Sequence, residues 1–215
     1  MNLTIQNTDD GSQTIYSEAF KETYHSVNGA ITESMHVFIN AGFNYCQRNP
    51  IQILEVGLGT GLNAYLTLLE AQKHNITVEY QSIELYPLKS ELYKDYASSL
   101  SSDGNLLLAM HDAPWDCATE ISHGFKLQKK KTDLLVFVPS TNYDLVYFDA
   151  FSPVTQPELW TEDVFRKIID SMNEGSILTT YCAKGIVRRT LQKVGFKTER
   201  LPGPPGKREM LRASK

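Results

Sequence analysis

Residues 53–63 read ILEVGLGTGLN, and the reading of this stretch decides the fold. Gly57, Gly59 and Gly61 alternate with other residues directly behind the apolar run IQILEV, with Glu55 two places ahead of the first glycine. An apolar run closed by glycines and followed by LNAYLTLLEAQKH predicts a buried strand, a tight turn and an amphipathic helix. Outward from this unit the alternation continues. TVEYQSIEL predicts a strand, followed by a helix over residues 89–100; NLLLAM predicts a third strand; YDLVYFDAF and SILTTYC predict two more, each followed by a helix, around EDVFRKIIDSM and KGIVRRTLQKV. The chain closes on FKTERLPGPPGKREMLRAS, two strands about a Gly/Pro turn and most simply antiparallel. Upstream, Ile31, Met35, Phe38, Ile39 and Phe43 fall near helical spacing, ended at Asn49-Pro50. GFKLQKKKTDLLVFV is expected to be a hairpin insertion over residues 122–140, turning near its lysine run, with the lysines guarding a sheet edge. The fold class is therefore α/β, a mostly parallel Rossmann-like sheet covered by helices, closed by an antiparallel C-terminal strand.

In such sheets ligands bind beyond the carboxyl ends of the strands, which singles out residues 55–61, Glu84, Asp112 and Asp149. Glycine permits close backbone approach, and the next helix presents free N–H groups, so a nucleotide is the expected ligand. A dinucleotide G-x-G-x-x-G counted from Gly57 fails at Leu62; counted from Gly59 it fits with Ala64 last. Two features oppose a dinucleotide. A carboxylate at Glu55 is of little use beside phosphates, since like charges repel, and the final strands are antiparallel. Glu84 lies 23 residues beyond Gly61, suitably placed for ribose hydroxyls in either kind of nucleotide.

At 215 residues the chain suits a single domain, 1–215, with residues 1–48 as an N-terminal cap segment. The polar start is unlike a secretory signal and no apolar run is long enough to cross a membrane. Cys46, Cys117 and Cys182 form no CxxC pair, so free thiols in a reducing cytoplasm are expected, and no metal site is suggested. The net charge of −4 hides an asymmetry. Residues 180–215 hold ten basic residues against Glu199 and Glu209, a net +8 that leaves −12 for the rest. That is either the footprint of a polyanion partner or charge that merely solvates helix faces.

The pattern E-x-G-x-G-x-G, an acid at Glu84, an acid at Asp112 and a closing antiparallel strand resemble a class I S-adenosylmethionine methyltransferase. More narrowly, IYSEAFKETYHSVNGAITESMHVFI, ILEVGLGTGLN, YFDAFSPVTQPELWT, VRRTLQKVGF and GKREML are similar, in that order, to the methyltransferase part of the MnmC family of tRNA-modifying enzymes. The resemblance implies S-adenosylmethionine as cofactor. The turn of Gly57, Gly59 and Gly61 would approach its methionine part with Glu55 in support, Glu84 would take the ribose, and Asp112 with Ala113 would edge the adenine. It implies methyl transfer to the exocyclic amine of 5-aminomethyl-2-thiouridine at the tRNA wobble position. No oxidase region follows, so the amine is expected to come from a partner enzyme. Gln156-Pro157 and the GPPGKREML loop depart from the family pattern.

For that chemistry an alkylamine must lose its proton before attack, and Asp149, in Asp149-Ala150-Phe151-Ser152-Pro153, is the expected residue to orient and deprotonate it. Phe151 is expected against the target base, with Tyr24, His25, Trp115 and Trp160 as further clamps, and Glu33 and His36 in a lid. Arg188, Arg189, Lys207 and Arg208 are the expected phosphate contacts. The alternatives are a methyltransferase of a small-molecule or protein amine and a non-catalytic cofactor-binding subunit; a nicotinamide enzyme is opposed by the features above.

Overall fold

The computed structural model describes residues 2–100 and 104–215. The strand IQILEV forms as expected, as β4 (Ile51–Val56), and the turn after it enters α2 (Leu62–His74). Around β4 lies an eight-stranded sheet in the order β10-β11-β9-β8-β4-β5-β7-β6. Its five central strands are parallel: β7 (Phe125–Lys131), β5 (Val78–Glu84), β4, β8 (Tyr143–Phe148) and β9 (Met172–Thr180). The antiparallel pair β10 (Lys197–Pro202) and β11 (Glu209–Ser214) closes one edge, and β6 (Ala118–Ser122) adds an antiparallel strand at the other. This is the expected class I arrangement with one strand added beyond β7.

Two apolar clusters fill the two faces. One gathers α2, the N-terminal helix and Leu107 and Met110; the other gathers α5 (Glu162–Asp170) and α6 (Gly185–Lys193) against β8, β9 and β11. The N-terminal helix begins as α1 (Ala30–Ser34) and continues with i→i+5 winding over Met35–Phe43. Gly42 lets it sit close on the sheet, since a Cβ there would lie 3.1 Å from the Tyr147 ring. Ahead of it, β1 (Leu3–Asn7), β2 (Gln13–Ser17) and β3 (Glu22–Thr23) form a separate antiparallel sheet. Among the described residues no helix is long and apolar enough to cross a membrane.

Two sequence expectations fail together. NLLLAM is not a strand but part of α4 (Gly104–Asp112), which follows α3 (Ser90–Ser98). A short apolar run is ambiguous between strand and buried helix, and Leu107 and Met110, three apart, are the residues that face the core. The third parallel strand is instead β7, within the segment expected to be an insertion. The hairpin turns at His123-Gly124, before the lysine run rather than within it. Phe125, Leu127 and Lys129 form the buried face of β7, so a lysine occupies the place where the alternation expects an apolar residue.

Lys129 is 1% exposed. Its ammonium donates to the His111 carbonyl at the end of α4 and lies 4.6 Å from the centre of the Trp115 ring. A cation at a helix C-terminus and over an indole face is favoured on both counts. Burial nevertheless lowers its pKa to about 8. The lysine thus ties α4 to the sheet instead of guarding an edge.

Candidate active site

A cleft of about 670 Å³ opens beyond the carboxyl ends of β4, β5, β7 and β8. Its floor is the glycine turn, where Gly57, Gly59 and Gly61 all have positive φ. The turn is tight because its neighbours leave no room for side chains. A Cβ on Gly57 would lie 2.7 Å from the Asp149 carbonyl oxygen, and one on Gly59 would lie 2.8 Å from the Tyr24 ring. Gly61 faces away from the cleft, against Leu107 and His111.

Glu84 ends β5 and lines the cleft; its carboxylate accepts N–H bonds from Gly59 (3.0 Å) and Tyr86 (2.7 Å), while burial raises its pKa. Asp112 and Ala113 do not reach the cleft. Asp112 sits exposed at the end of α4 and accepts a hydrogen bond from the Tyr93 hydroxyl at 2.7 Å. The acid that follows the third parallel strand is Asp133, which lines the cleft with Thr132 and Leu134. Because β7 was read as half of an insertion, Asp133 was missed.

Glu55 is placed differently from the expectation as well. It is fully buried and does not line the cleft: Ser82 Oγ donates to one carboxyl oxygen at 2.7 Å, and Asn63 and Tyr80 stand beside the carboxyl. Burial raises its pKa to about 8, with the charge of Asp149 acting in the same direction.

Asp149, directly after β8, does line the cleft. Asn63, in the first turn of α2, donates its amide to Asp149 Oδ2 at 2.8 Å. Burial, helped by the negative charge of Glu33, raises the Asp149 pKa to about 7; the Asn63 bond and the Lys207 charge act against that rise. A carboxyl poised near neutrality inside a cleft is suited to taking up a proton.

The N-terminal segment forms the outer wall, anchored by His25 and by Glu22, a residue no sequence motif singled out. Glu22 accepts hydrogen bonds from the Ser152 N–H (3.1 Å), the Ser152 hydroxyl (2.5 Å) and the Thr155 hydroxyl (2.6 Å), which clamps β3 to the loop after β8. His25 is hydrogen-bonded to Thr60 Oγ1 at 2.7 Å; burial lowers its pKa to about 4, so the ring is neutral and structural. Phe151 stands in the cleft wall with its ring centre 4.5 Å from that of Phe20 and 5.1 Å from that of Tyr24. Trp160 is core, packed on Phe148 and Phe165, with its indole N–H donated to the Phe151 carbonyl. Trp115 lines a smaller cavity of about 220 Å³ behind Glu84. His36 is bonded to the Pro202 carbonyl.

Of the four expected phosphate contacts only Lys207 lines the cleft. Its ammonium is paired with Glu33 and lies 4.0 Å from the centre of the Tyr181 ring, so it joins the β10–β11 turn to α1. Arg188 and Arg189 lie on α6 and Arg208 is exposed on the turn, all three outside the cleft lining. The lining itself is acidic: Glu22, Glu33, Glu84, Asp133, Asp149 and Glu158 against Lys21 and Lys207.

Comparison with known proteins defines the class first. Residues 119–215 match a family model described as S-adenosyl-L-methionine-dependent methyltransferase, and the chain is such a methyltransferase, with the class I fold. Within that class the chain is similar to the MnmC proteins. It is 30% identical, over 97% of its length, to the tRNA 5-methylaminomethyl-2-thiouridine biosynthesis bifunctional protein MnmC of Burkholderia multivorans, and 31% identical, over 93%, to that of Magnetococcus marinus. The matches take in only 34% and 32% of those proteins, so the chain spans about a third of the relatives it matches. The crystal structure of MNMC2 from Aquifex aeolicus superposes with a TM-score of 0.82 at 29% identity, covering 99% of this chain and 70% of that one. Spermidine synthase from Thermotoga maritima shares the fold, with a TM-score of 0.67 at 14% identity over 99% of this chain and 68% of its own.

Proposed function

We propose that the protein methylates the exocyclic amine of 5-aminomethyl-(2-thio)uridine at the wobble position of tRNA, in the cytoplasm, with the amine supplied by a separate enzymatic activity. The observation that carries this reading is Asp149: a carboxyl held by Asn63, raised toward neutrality by burial, and set beside aromatic rings in an acidic cleft. The similarity to MnmC proteins supports the choice of tRNA.

The residues fit S-adenosylmethionine. A turn in which side chains are excluded at Gly57 and Gly59 offers bare backbone, and Glu84 offers a carboxylate for a diol. Asp133 takes over the adenine-edging role expected of Asp112, since it follows the third parallel strand and lines the cleft. When bound, the cofactor supplies a methyl group on a sulfonium centre that is already a good leaving group. The protein's work is therefore mainly alignment, where effective molarities are large.

A substrate amine arrives mostly as its ammonium form, with a pKa near ~10. The acidic lining attracts that cation, and Asp149 accepts its proton, which frees the nitrogen lone pair. Phe151, Tyr24 and Phe20 offer ring surface on which an unstacked base can rest. The outer wall, clamped by Glu22 and His25, keeps water from the acceptor.

The test is incubation of the protein with radiolabelled S-adenosylmethionine and tRNA bearing the unmethylated 5-aminomethyl group, beside Asp149→Asn. Label entering the wobble nucleoside, and lost in the variant, is expected. A second reading, methylation of a small-molecule amine, is favoured by one observation: the cleft is acidic and its one expected phosphate contact, Lys207, is engaged with Glu33. Cofactor binding with no label in that tRNA, and no salt-sensitive binding of bulk tRNA, would move the assignment to that reading.

A further inference from the structure

The glycine turn cannot fix its own shape. Gly57, Gly59 and Gly61 have wide conformational freedom, so a turn built on them is held by what its other residues touch. Those residues are Leu58 and Thr60. Leu58 is buried in the apolar cluster that contains α2. Thr60 is fully buried and is gripped at two points by side chains from outside the turn. Its hydroxyl is bonded to His25 of the N-terminal segment and accepts the Leu62 N–H at 3.3 Å. Its carbonyl is bonded at 2.9 Å to Nε2 of His111, in the last turn of α4.

A carbonyl only accepts, so the His111 imidazole carries a proton on Nε2. Burial lowers the pKa of this ring to about 4, which leaves it a single proton at neutral pH and makes Nε2–H the tautomer present. The ring has little freedom to turn away. It stacks on Tyr93, with centres 4.5 Å apart and planes 6° apart, and a Cβ on Gly61 would lie 3.1 Å from its Nε2. The main chain behind it is tied down as well, since Lys129 donates to the His111 carbonyl.

Behind the turn lies the cavity of about 220 Å³ lined by His111, Tyr93 and Trp115. Leu58, Gly59 and Glu84 line both this cavity and the larger cleft, so the turn is a thin partition between two open spaces. Room on the rear side lets the backbone move away from the cleft, and the bond from His111 opposes that movement.

We infer that His111 is a positioning residue for the cofactor: by donating to the Thr60 carbonyl it pins the glycine turn, so that Gly57 and Gly59 present one fixed surface to S-adenosylmethionine. The inference rests on the reading of this turn as the floor of the cofactor site. It gives the end of α4 a part in that site through His111, where the sequence pattern pointed to Asp112. His111 acts on the share of molecules whose turn is ready to bind. A ligand that binds only the ready conformation has its affinity reduced by the fraction in which that conformation is populated. Loss of a bond that leaves a buried carbonyl unpaired shifts such a balance by about tenfold.

Calorimetry of S-adenosylmethionine binding, with thermal melts of the same proteins, tests this without a methyl acceptor. His111→Met fills similar space without the donor and is expected to raise the cofactor Kd by about tenfold. His111→Gln returns an N–H near the Nε2 position and is expected to bind within about threefold of the wild type. A Met variant that melts lower yet binds the cofactor as tightly as the wild type overturns the inference, since the effect is then on stability alone. Equal losses in the Met and Gln variants overturn the role of the donor. Should neither variant fold, 15N-labelled histidine in the wild-type protein decides. The His111 ring, one of five, is expected in the Nε2–H form, and an Nδ1–H ring overturns the inference. Wild-type protein that gives no binding heat with S-adenosylmethionine overturns the reading of the turn itself, an outcome distinct from a defect confined to the variants.

Discussion

Replacing Gly57 by alanine tests whether the glycine turn and Asp149 are one mechanical unit. Gly57 has a φ of +90°, which costs an L-residue with a side chain about 1–2 kcal/mol. The new methyl carbon would also lie 2.7 Å from the Asp149 carbonyl oxygen, where ordinary contact begins at 3.4 Å, so the backbone at Asp149 must retreat by about 0.7 Å. Overpacking of this kind adds about 1–3 kcal/mol. The combined loss, about 2–5 kcal/mol, corresponds to a Tm lower by about 4–20 °C for a chain of this size. Because a misplacement of about 1 Å at reacting groups can cost on the order of a hundredfold, methyl transfer should fall by at least tenfold. Gly175 supplies the control: it has a φ of +73° but open space where a Cβ would go. Gly175→Ala should therefore show the strain alone, with methyl transfer unchanged. Thermal melts and single-turnover rates of both variants decide the matter. A Gly57→Ala protein that melts and turns over like Gly175→Ala would refute the reasoning, since the contact with Asp149 would then carry no weight.

Asp149→Asn should retain S-adenosylmethionine binding by calorimetry while the methylation rate falls by about 10²–10⁴, the usual contribution of a positioned base; an undiminished rate would remove Asp149 from the chemistry. Asp133→Asn should weaken cofactor binding by about tenfold, and Asp112→Asn should leave it unaltered, because only Asp133 lines the cleft; the reverse pattern would restore the sequence-based assignment. The pH dependence of stability follows from Glu55. Its pKa rises on folding from 4.5 to about 8, so the folded state binds the extra proton between those values. The stability it contributes is fully present below about pH 4.5 and is lost as pH rises through about 8, by up to about 1.4 kcal/mol per pH unit. Glu55→Gln should therefore gain stability relative to the wild type between pH 5 and 8 in urea unfolding; a constant difference across that range would exclude the shift.

The central unit was legible because its signals are local. IQILEV, the glycine turn and the helix beginning at Leu62 are specified by residues next to one another, and so are the strand ends at Glu84 and Phe148 and the final antiparallel pair. The reading failed where the pattern was broken for a tertiary reason. Lys129 stands on the buried face of β7 only because α4 offers it a carbonyl and Trp115 a ring, and neither neighbour is visible in the local pattern. Losing β7 as a strand displaced the third acid from Asp133 to Asp112.

The N-terminal segment shows the same limit from another side. Its motif was recognisable, but the roles of its residues depend on contacts more than a hundred positions away: Glu22 with Ser152 and Thr155, Glu33 with Lys207, His36 with the Pro202 carbonyl. The sequence by itself determined the fold class, because periodicity, glycine turns and strand ends are properties of neighbouring residues; the cofactor came with the family resemblance that those motifs carry, and Asp149 was marked as the candidate base by its place after a strand. Tertiary structure alone decided which acids line the cleft, that Glu55 is not among them, and that the C-terminal arginines lie outside it. Those outcomes depend on burial and on pairing between distant segments, which set the direction a side chain takes and the charge it can hold.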